Sequence, residues 1–125
     1  MIFALALASN LDRERHFAQA YQAIQQLGEC QFSQIYEIPC RDGIGADYWN
    51  SACLLKCDLT VDEVMQLMKQ LEEASGRIRP SHKISLDIDV IAWGEHLDQM
   101  QFNQKKLPLA QDVKIPMNEI WALTI

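Results

Sequence analysis

The eight residues Ile84-Ser85-Leu86-Asp87-Ile88-Asp89-Val90-Ile91 constrain this chain more than any other stretch. They alternate. Ile84, Leu86, Ile88 and Val90 take one parity, and Ser85, Asp87, Asp89 and Ile91 take the other. A period of two is that of a β-strand, whose successive side chains leave opposite faces. The aliphatic set needs a covered face, and the two carboxylates need one that can be approached. Two positions along a strand are roughly 6.6 Å apart, so Asp87 and Asp89 can converge on one hard cation or on two close together. Magnesium suits such a pair, because it takes one or two protein carboxylates and completes its shell with water and phosphate oxygens. A half-buried strand with a wetted outer face carries the same pattern, so the other residues have to decide between the two.

The 125 residues are read as one domain, 1–125, with 49% apolar and 22% charged residues, the balance of an ordinary globular protein. No run approaches the length of a membrane span. Residues 1–9 are apolar without a basic leader and read as a first strand rather than a signal peptide. Cys30, Cys40, Cys53 and Cys57 show no metal-binding spacing and are expected as reduced thiols of a cytoplasmic protein. A net charge of −6 argues against a general nucleic-acid binder. It does not exclude a nucleotide, because the local field at a site is what counts. Arg77, Arg79, His82 and Lys83 form an acid-free basic loop just before the Asp87/Asp89 strand.

Taken in order, Ile2 to Ala8 alternates bulky Phe3, Leu5 and Leu7 with small Ala4, Ala6 and Ala8. Such a strand packs on one side and lets something approach on the other. Ser9-Asn10 offers a turn and a helix N-cap. A helix is predicted to about Leu27, with Phe17, Tyr21, Ile24 and Leu27 in its stripe and Gly28 beyond its end. Residues 30–38 read as a second strand, 39–47 as a loop, and Tyr48 to Leu59 as a third strand. Thr60-Val61-Asp62-Glu63 is a capping box that opens a second helix with the stripe Val64, Leu67, Met68 and Leu71, ending at Gly76. The basic loop, with Pro80, and the Asp strand over 84–93 follow. The order β-α-β-β-α-β predicts an α+β fold of ferredoxin-like type: an antiparallel sheet with two helices on one face. Asp87 and Asp89 are expected on the uncovered face. Residues 95–125 read as a short C-terminal extension with Pro108 and Pro116 and the ending Ile120-Trp121-Ala122-Leu123.

No P-loop and no dinucleotide-binding glycine motif is present, so any phosphate chemistry rests on side-chain cations and metal. Arg79 and Lys83, and Arg77 with them, are candidates to hold polyphosphate oxygens; a solvated loop looks the same. Glu72 can face the basic loop or a nucleotide, or be an ordinary exposed helix carboxylate. Tyr48 and Asn50 share a parity and suit a flat heteroaromatic ligand, with the amide reading ring donors and acceptors. Strand packing plus one exposed polar group would give the same pair.

Together these residues resemble the 6-hydroxymethyl-7,8-dihydropterin pyrophosphokinases of folate biosynthesis. The resemblance runs in order through nearly the whole chain: Leu7-Ala8-Ser9-Asn10-Leu11, Tyr36-Glu37-Ile38-Pro39, Tyr48-Trp49-Asn50-Ser51-Ala52, Glu72 with Gly76-Arg77-Ile78-Arg79, Leu86-Asp87-Ile88-Asp89-Val90-Ile91, and Pro116-Met117-Asn118-Glu119-Ile120. It implies transfer of diphosphate from ATP to the hydroxymethyl group of a reduced pterin, with two Mg²⁺ ions on Asp87 and Asp89 and Arg79 assisting. It implies a pterin site at Tyr48, Asn50 and Pro39 and an ATP side formed by Glu72, Arg77, His82 and Lys83. The family carries an arginine where Ile84 stands and a histidine where Leu109 stands, and its later R-x-F segment is missing between Pro108 and Pro116. The implied partners are ATP and a reduced pterin, bound by a monomer with no nucleic acid or membrane involved. Two other readings compete: a catalytically impaired paralogue that binds nucleotide or pterin without turnover, and an unrelated ferredoxin-like interaction module.

Overall fold

The structure is a computed structural model and describes residues 1–40, 43, 45–79 and 81–122. Pro80 and Leu123, both named in the sequence reading, lie outside the described residues. Among the described residues the arrangement is mixed α/β: a six-stranded antiparallel sheet with three α-helices. The elements are β1 (Ile2–Ser9), α1 (Arg13–Gln25), β2 (Glu29–Phe32), β3 (Tyr36–Ile38), β4 (Tyr48–Lys56), α2 (Val61–Ala74), β5 (Asp87–Gly94), β6 (Gln101–Phe102) and α3 (Gln111–Ile120). The sheet order is β2-β4-β1-β5-β6, with β3 also paired to β4.

The alternation in β1 divides the molecule. Phe3, Leu5 and Leu7 join Phe17 and Ile24 of α1, Val64 and Met68 of α2, and Leu86, Ile88 and Val90 in one core. Ala4 and Ala6 face the other way, where they meet Ala52, Leu54, Ile91, Ala92, Leu109 and Met117 in a second cluster. A bulge between Ala4 and Leu5 in the β1–β5 pairing inserts Ile91, so that Ile91 and Ala92 both serve this second cluster.

Several expectations are corrected here. The second face is not left uncovered: α3 packs across its lower half, with Met117 and Pro116 buried. This helix was read as an irregular extension because Pro116 sits inside it, and proline normally ends a helix. The predicted second strand is two short strands. At the break, the Ser33 hydroxyl accepts the Ala52 N–H at 2.8 Å in place of a backbone carbonyl. The third strand stops at Lys56, and the Asp strand starts at Asp87, not Ile84. Ser9-Asn10 caps nothing; Asp12, with φ 47°, precedes α1. Gly28 is needed for its lack of a Cβ, since a side chain there would strike the Lys56 carbonyl. The capping box at Thr60 and Glu63 forms as expected, and Gly76 follows α2 with φ 85°.

The third helix is tied down at its far end. Glu119 accepts hydrogen bonds from the Gln34 N–H and, at 2.7 Å, from the Tyr36 hydroxyl. Trp121 stacks on Phe102 with ring centroids 5.4 Å apart. Truncating the fully buried Met117 to alanine should destabilise the protein by about 2–5 kcal/mol in urea unfolding, as buried methionines do. Exposed Ile115→Ala on the same helix should change stability by less than about 0.5 kcal/mol. Equal losses at the two positions would mean that α3 does not pack as described.

Candidate functional site

Strand register brings the site together. Ala8 pairs with Asn50 on one side and with Asp87 on the other, and Ala6 likewise pairs with Ala52 and Asp89. Asn50, Asp87 and Asp89 therefore leave the same face, separated by alanines that keep the surface between them open. Above this row the residues before β5 are fixed by Asn10. Its N–H donates to the Ile84 carbonyl at 2.9 Å, its Oδ1 accepts the Ile84 N–H, and its Nδ2 donates to the His82 carbonyl at 2.8 Å. The Ser75 and Ser85 hydroxyls meet at 2.7 Å and hold the same segment against the end of α2.

Two concavities meet at the aspartates. The first, about 240 Å³, is lined by Tyr48 and Asn50 from β4, Ala6 and Ala8 from β1, Cys40, Arg77, Ile84, Asp112 and both aspartates. The second is a more open groove of about 400 Å³ on the α2 side, walled by Lys69, Glu72, Arg79, Asn103, Lys106 and again both aspartates. Asp87 and Asp89 are thus the shared rim.

Each predicted residue has a definite place. Tyr48, Asn50, Arg77, Asp87 and Asp89 converge on the first cavity. Glu72 and Arg79 join the aspartates in the groove, with Arg79 Nη2 3.6 Å from Glu72 Oε1. Arg77 lies on the Tyr48 side rather than with Arg79. It is nearly buried, its Nη1 donating to the Leu86 carbonyl at 3.2 Å and lying 3.8 Å from Asp87 Oδ1. Pro39 is exposed just after β3, and its neighbour Cys40 forms the wall instead. His82 and Lys83 are exposed and are not among the described wall residues of either concavity.

Among the described residues, two buried donors lack partners: Asn50 Nδ2 and Arg77 Nε. Leaving a buried polar group unpaired is costly, so an unpaired amide facing a cavity marks a place for a ligand acceptor. For a cation, the available hard donors are the carboxylates of Asp87 and Asp89, partly exposed and on one face. Among the described residues no group of three or more His, Cys, Asp or Glu side chains could hold a metal ion. A two-carboxylate set fits an ion that keeps water and takes phosphate oxygens, as magnesium does.

A family model described as 7,8-dihydro-6-hydroxymethylpterin-pyrophosphokinase (HPPK) matches residues 4–123. The chain belongs to this family. Membership makes this HPPK-family chain a diphosphokinase-type transferase of folate biosynthesis, a class that uses ATP and Mg²⁺ in general. Among the described residues no helix is long and apolar enough to cross a membrane.

Sequence reasoning missed four residues that line or brace the two concavities. Lys106 Nζ lies 2.9 Å from Asp89 Oδ1. Burial alone would lower the Lys106 pKa, but the hydrogen bond to Asp89 and the charges of Asp89, Asp87 and Glu72 outweigh it and raise the value. Asn103 and Asp112 come from the stretch after β5, where Pro108 and Pro116 hid the helical spacing of Val113, Met117 and Ile120. Asn10 was assigned to a helix cap rather than to its clamp on residues 82–84.

Glu72 is buried, contrary to the ordinary exposed carboxylate its position on α2 also allowed. Its Oε2 accepts the Ile88 N–H at 2.9 Å. Burial, followed by a hydrogen bond shared with Asp87, pushes its pKa from 4.5 up to about 7, against the pull of the Ile88 N–H and Arg79. A raised carboxyl pKa means that the protonated form favours folding. The stabilisation from Glu72 is full below pH 4.5 and is lost as pH rises through about 7. In the metal-free protein, carbon-13 NMR of the Glu72 carboxyl should show a midpoint near 7, and Glu72→Gln should flatten the stability profile between 4.5 and 7. A midpoint at 4.5 would contradict the burial that sets this value.

Proposed function

We propose that this chain is a magnesium-dependent pyrophosphokinase that transfers the β,γ-diphosphoryl group of ATP to the hydroxymethyl group of 6-hydroxymethyl-7,8-dihydropterin. The observation that carries the reading is the shared rim: one cavity suited to a flat ring and one cation-lined groove meet at Asp87 and Asp89. The alcohol oxygen forms a bond to the β-phosphorus, and the bond from that phosphorus to the α,β-bridging oxygen breaks. Its electron pair leaves with AMP, and the hydroxyl proton is released to water. Two Mg²⁺ ions on Asp87 and Asp89 would supply charge neutralisation for the phosphates.

The remaining roles belong to side chains. Asn50 offers its unpartnered Nδ2 to an acceptor on the pterin ring, and Tyr48 lies along the ring; Pro39, exposed beside the wall residue Cys40, is assigned to the same side. Arg77 faces the junction from the ring side. Arg79 and Glu72 shape the ATP groove; His82 and Lys83, exposed in the loop before β5, are assigned to the ATP side with them. Alignment of the alcohol with the β-phosphorus accounts for most of the rate. We read β1-α1-β2-β4-α2-β5 as a ferredoxin-like core to which β3, β6 and α3 are added, working as one domain over 1–125, as a monomer in the cytoplasm.

One observation favours a second reading, a paralogue that binds without turnover. Ile84 lines the ring cavity at the position where the family resemblance implies an arginine. An AMP-release assay with ATP, Mg²⁺ and the reduced pterin separates the two. The pyrophosphokinase reading predicts AMP in step with pterin diphosphate, and a loss of about 100-fold or more for Asp87→Asn or Asp89→Asn. Binding of both ligands without AMP would establish the paralogue. An unrelated interaction module does not account for a family match over residues 4–123.

In the same cavity, Asn50→Ala should weaken binding of hydroxymethylpterin by about 10-fold or more in calorimetry, because the ring would lose a buried hydrogen-bond partner. Binding of the ATP analogue should stay within about threefold of wild type, since Asn50 lines the ring cavity and is not among the described wall residues of the groove. Equal losses for the two ligands would sink the assignment of separate pockets.

A further inference from the structure

One cation reaches the Asp87/Asp89 rim from the stretch whose structure was least legible in the sequence. Lys106 ends a 3₁₀ turn over Gln104–Lys106, and its Nζ donates to Asp89 Oδ1 at 2.9 Å. The turn is firmly held. The Asn103 N–H donates to the Ile91 carbonyl at 2.8 Å, and Asn103 Nδ2 donates to the Val90 carbonyl at 3.0 Å. Asn103 Oδ1 in turn accepts the Lys105 N–H at 3.2 Å. Lys106 is thereby fixed to the strand immediately after Asp89. Its side chain is 39% exposed and lines the groove with Glu72, Arg79 and both aspartates. A half-exposed ion pair adds little to stability, so stability does not explain why a lysine is held at this point.

Its position gives it two partners in turn. An ammonium on Asp89 competes with a divalent cation for the same carboxylate. A polyphosphate in the groove offers that ammonium several anionic oxygens and so a stronger set of charge-assisted hydrogen bonds. We propose that Lys106 is a positioning residue that makes cation binding at Asp87/Asp89 conditional on polyphosphate. Its ammonium neutralises Asp89 until the phosphates of a nucleotide draw it away, and it then holds them. The exchange also places a positive charge beside the phosphates in the groove. This inference rests on the pyrophosphokinase reading of the rim.

Calorimetry on the full chain tests it, with MgCl₂ alone and with a non-hydrolysable ATP analogue at saturating MgCl₂. Lys106→Gln should bind Mg²⁺ alone about 3- to 10-fold more tightly than wild type, because a competitor has been removed. The same variant should bind the analogue about 10-fold more weakly, having lost a charge-assisted contact. Lys106→Arg should restore analogue affinity to within about threefold of wild type, since it keeps the charge. A merely structural role would lower both affinities together, and that result overturns the proposal. So does a Lys106→Gln variant that matches wild type for both ligands. If wild type binds no analogue at all, the pyrophosphokinase reading falls and this inference with it. If wild type binds and Lys106→Gln is unchanged, only the role of Lys106 falls.

Discussion

The pairing of β1 between β4 and β5 is the interaction on which everything else rests. Its register sets Asn50, Ala8 and Asp87 in one row and Ala52, Ala6 and Asp89 in the next. A slip by a single residue would turn each side chain to the opposite face. Leu5 and Leu7 would then stand on the face of the aspartates, and the small alanines would be left facing the core. Burial of Phe3, Leu5 and Leu7 against both α1 and α2 makes that slip costly. The same hydrophobic term that holds the fold therefore also aims the chemistry.

The face that carries the aspartates is divided between a packed half and an open half. Its lower half is closed by Met117 of α3 and by Leu109 just before that helix, in one cluster with Ala4, Ala6 and Leu54. Its upper half stays open, where alanine side chains leave room and polar groups converge. Charge is arranged with the same economy. Arg77, Arg79 and Lys106 surround Asp87, Asp89 and Glu72, so a chain with a net charge of −6 still presents cations where an anionic phosphate would lie. Glu72 belongs to this network rather than to the helix surface, because its carboxylate takes the Ile88 N–H at the start of β5. It links the position of α2 to the strand that carries the aspartates.

Much of this was legible in the sequence because it rests on local periodicity. The alternation of β1, the Asp87/Asp89 parity, the stripe of α2 and its capping box are all short-range signals, and they appear as read. What escaped depends on distant parts of the chain. Asn10 looked like a helix cap because nothing in the sequence shows that residues 82–84 will come within reach of its amide. The helix α3 was hidden by Pro116, whose cost is offset by burial that only the folded sheet provides. Lys106 carries no signal of its own; it reaches Asp89 because Asn103 ties its turn to Val90 in the middle of β5. Arg77 and Arg79 are only two residues apart, yet they serve different sides of the rim.

Two binding sites that share one rim at Asp87 and Asp89 form an arrangement with its own signature in solution. Backbone amide mapping by nitrogen-15 NMR, with each ligand added separately in the presence of Mg²⁺, tests it most directly. Hydroxymethylpterin should shift Ala8, Tyr48 and Asn50. A non-hydrolysable ATP analogue should shift Arg79, Asn103 and Lys106. Only the residues around Asp87, Ile88 and Asp89 should respond to both. Overlapping shifts along a single wall, or an Asp87–Asp89 segment silent to both ligands, would contradict the account.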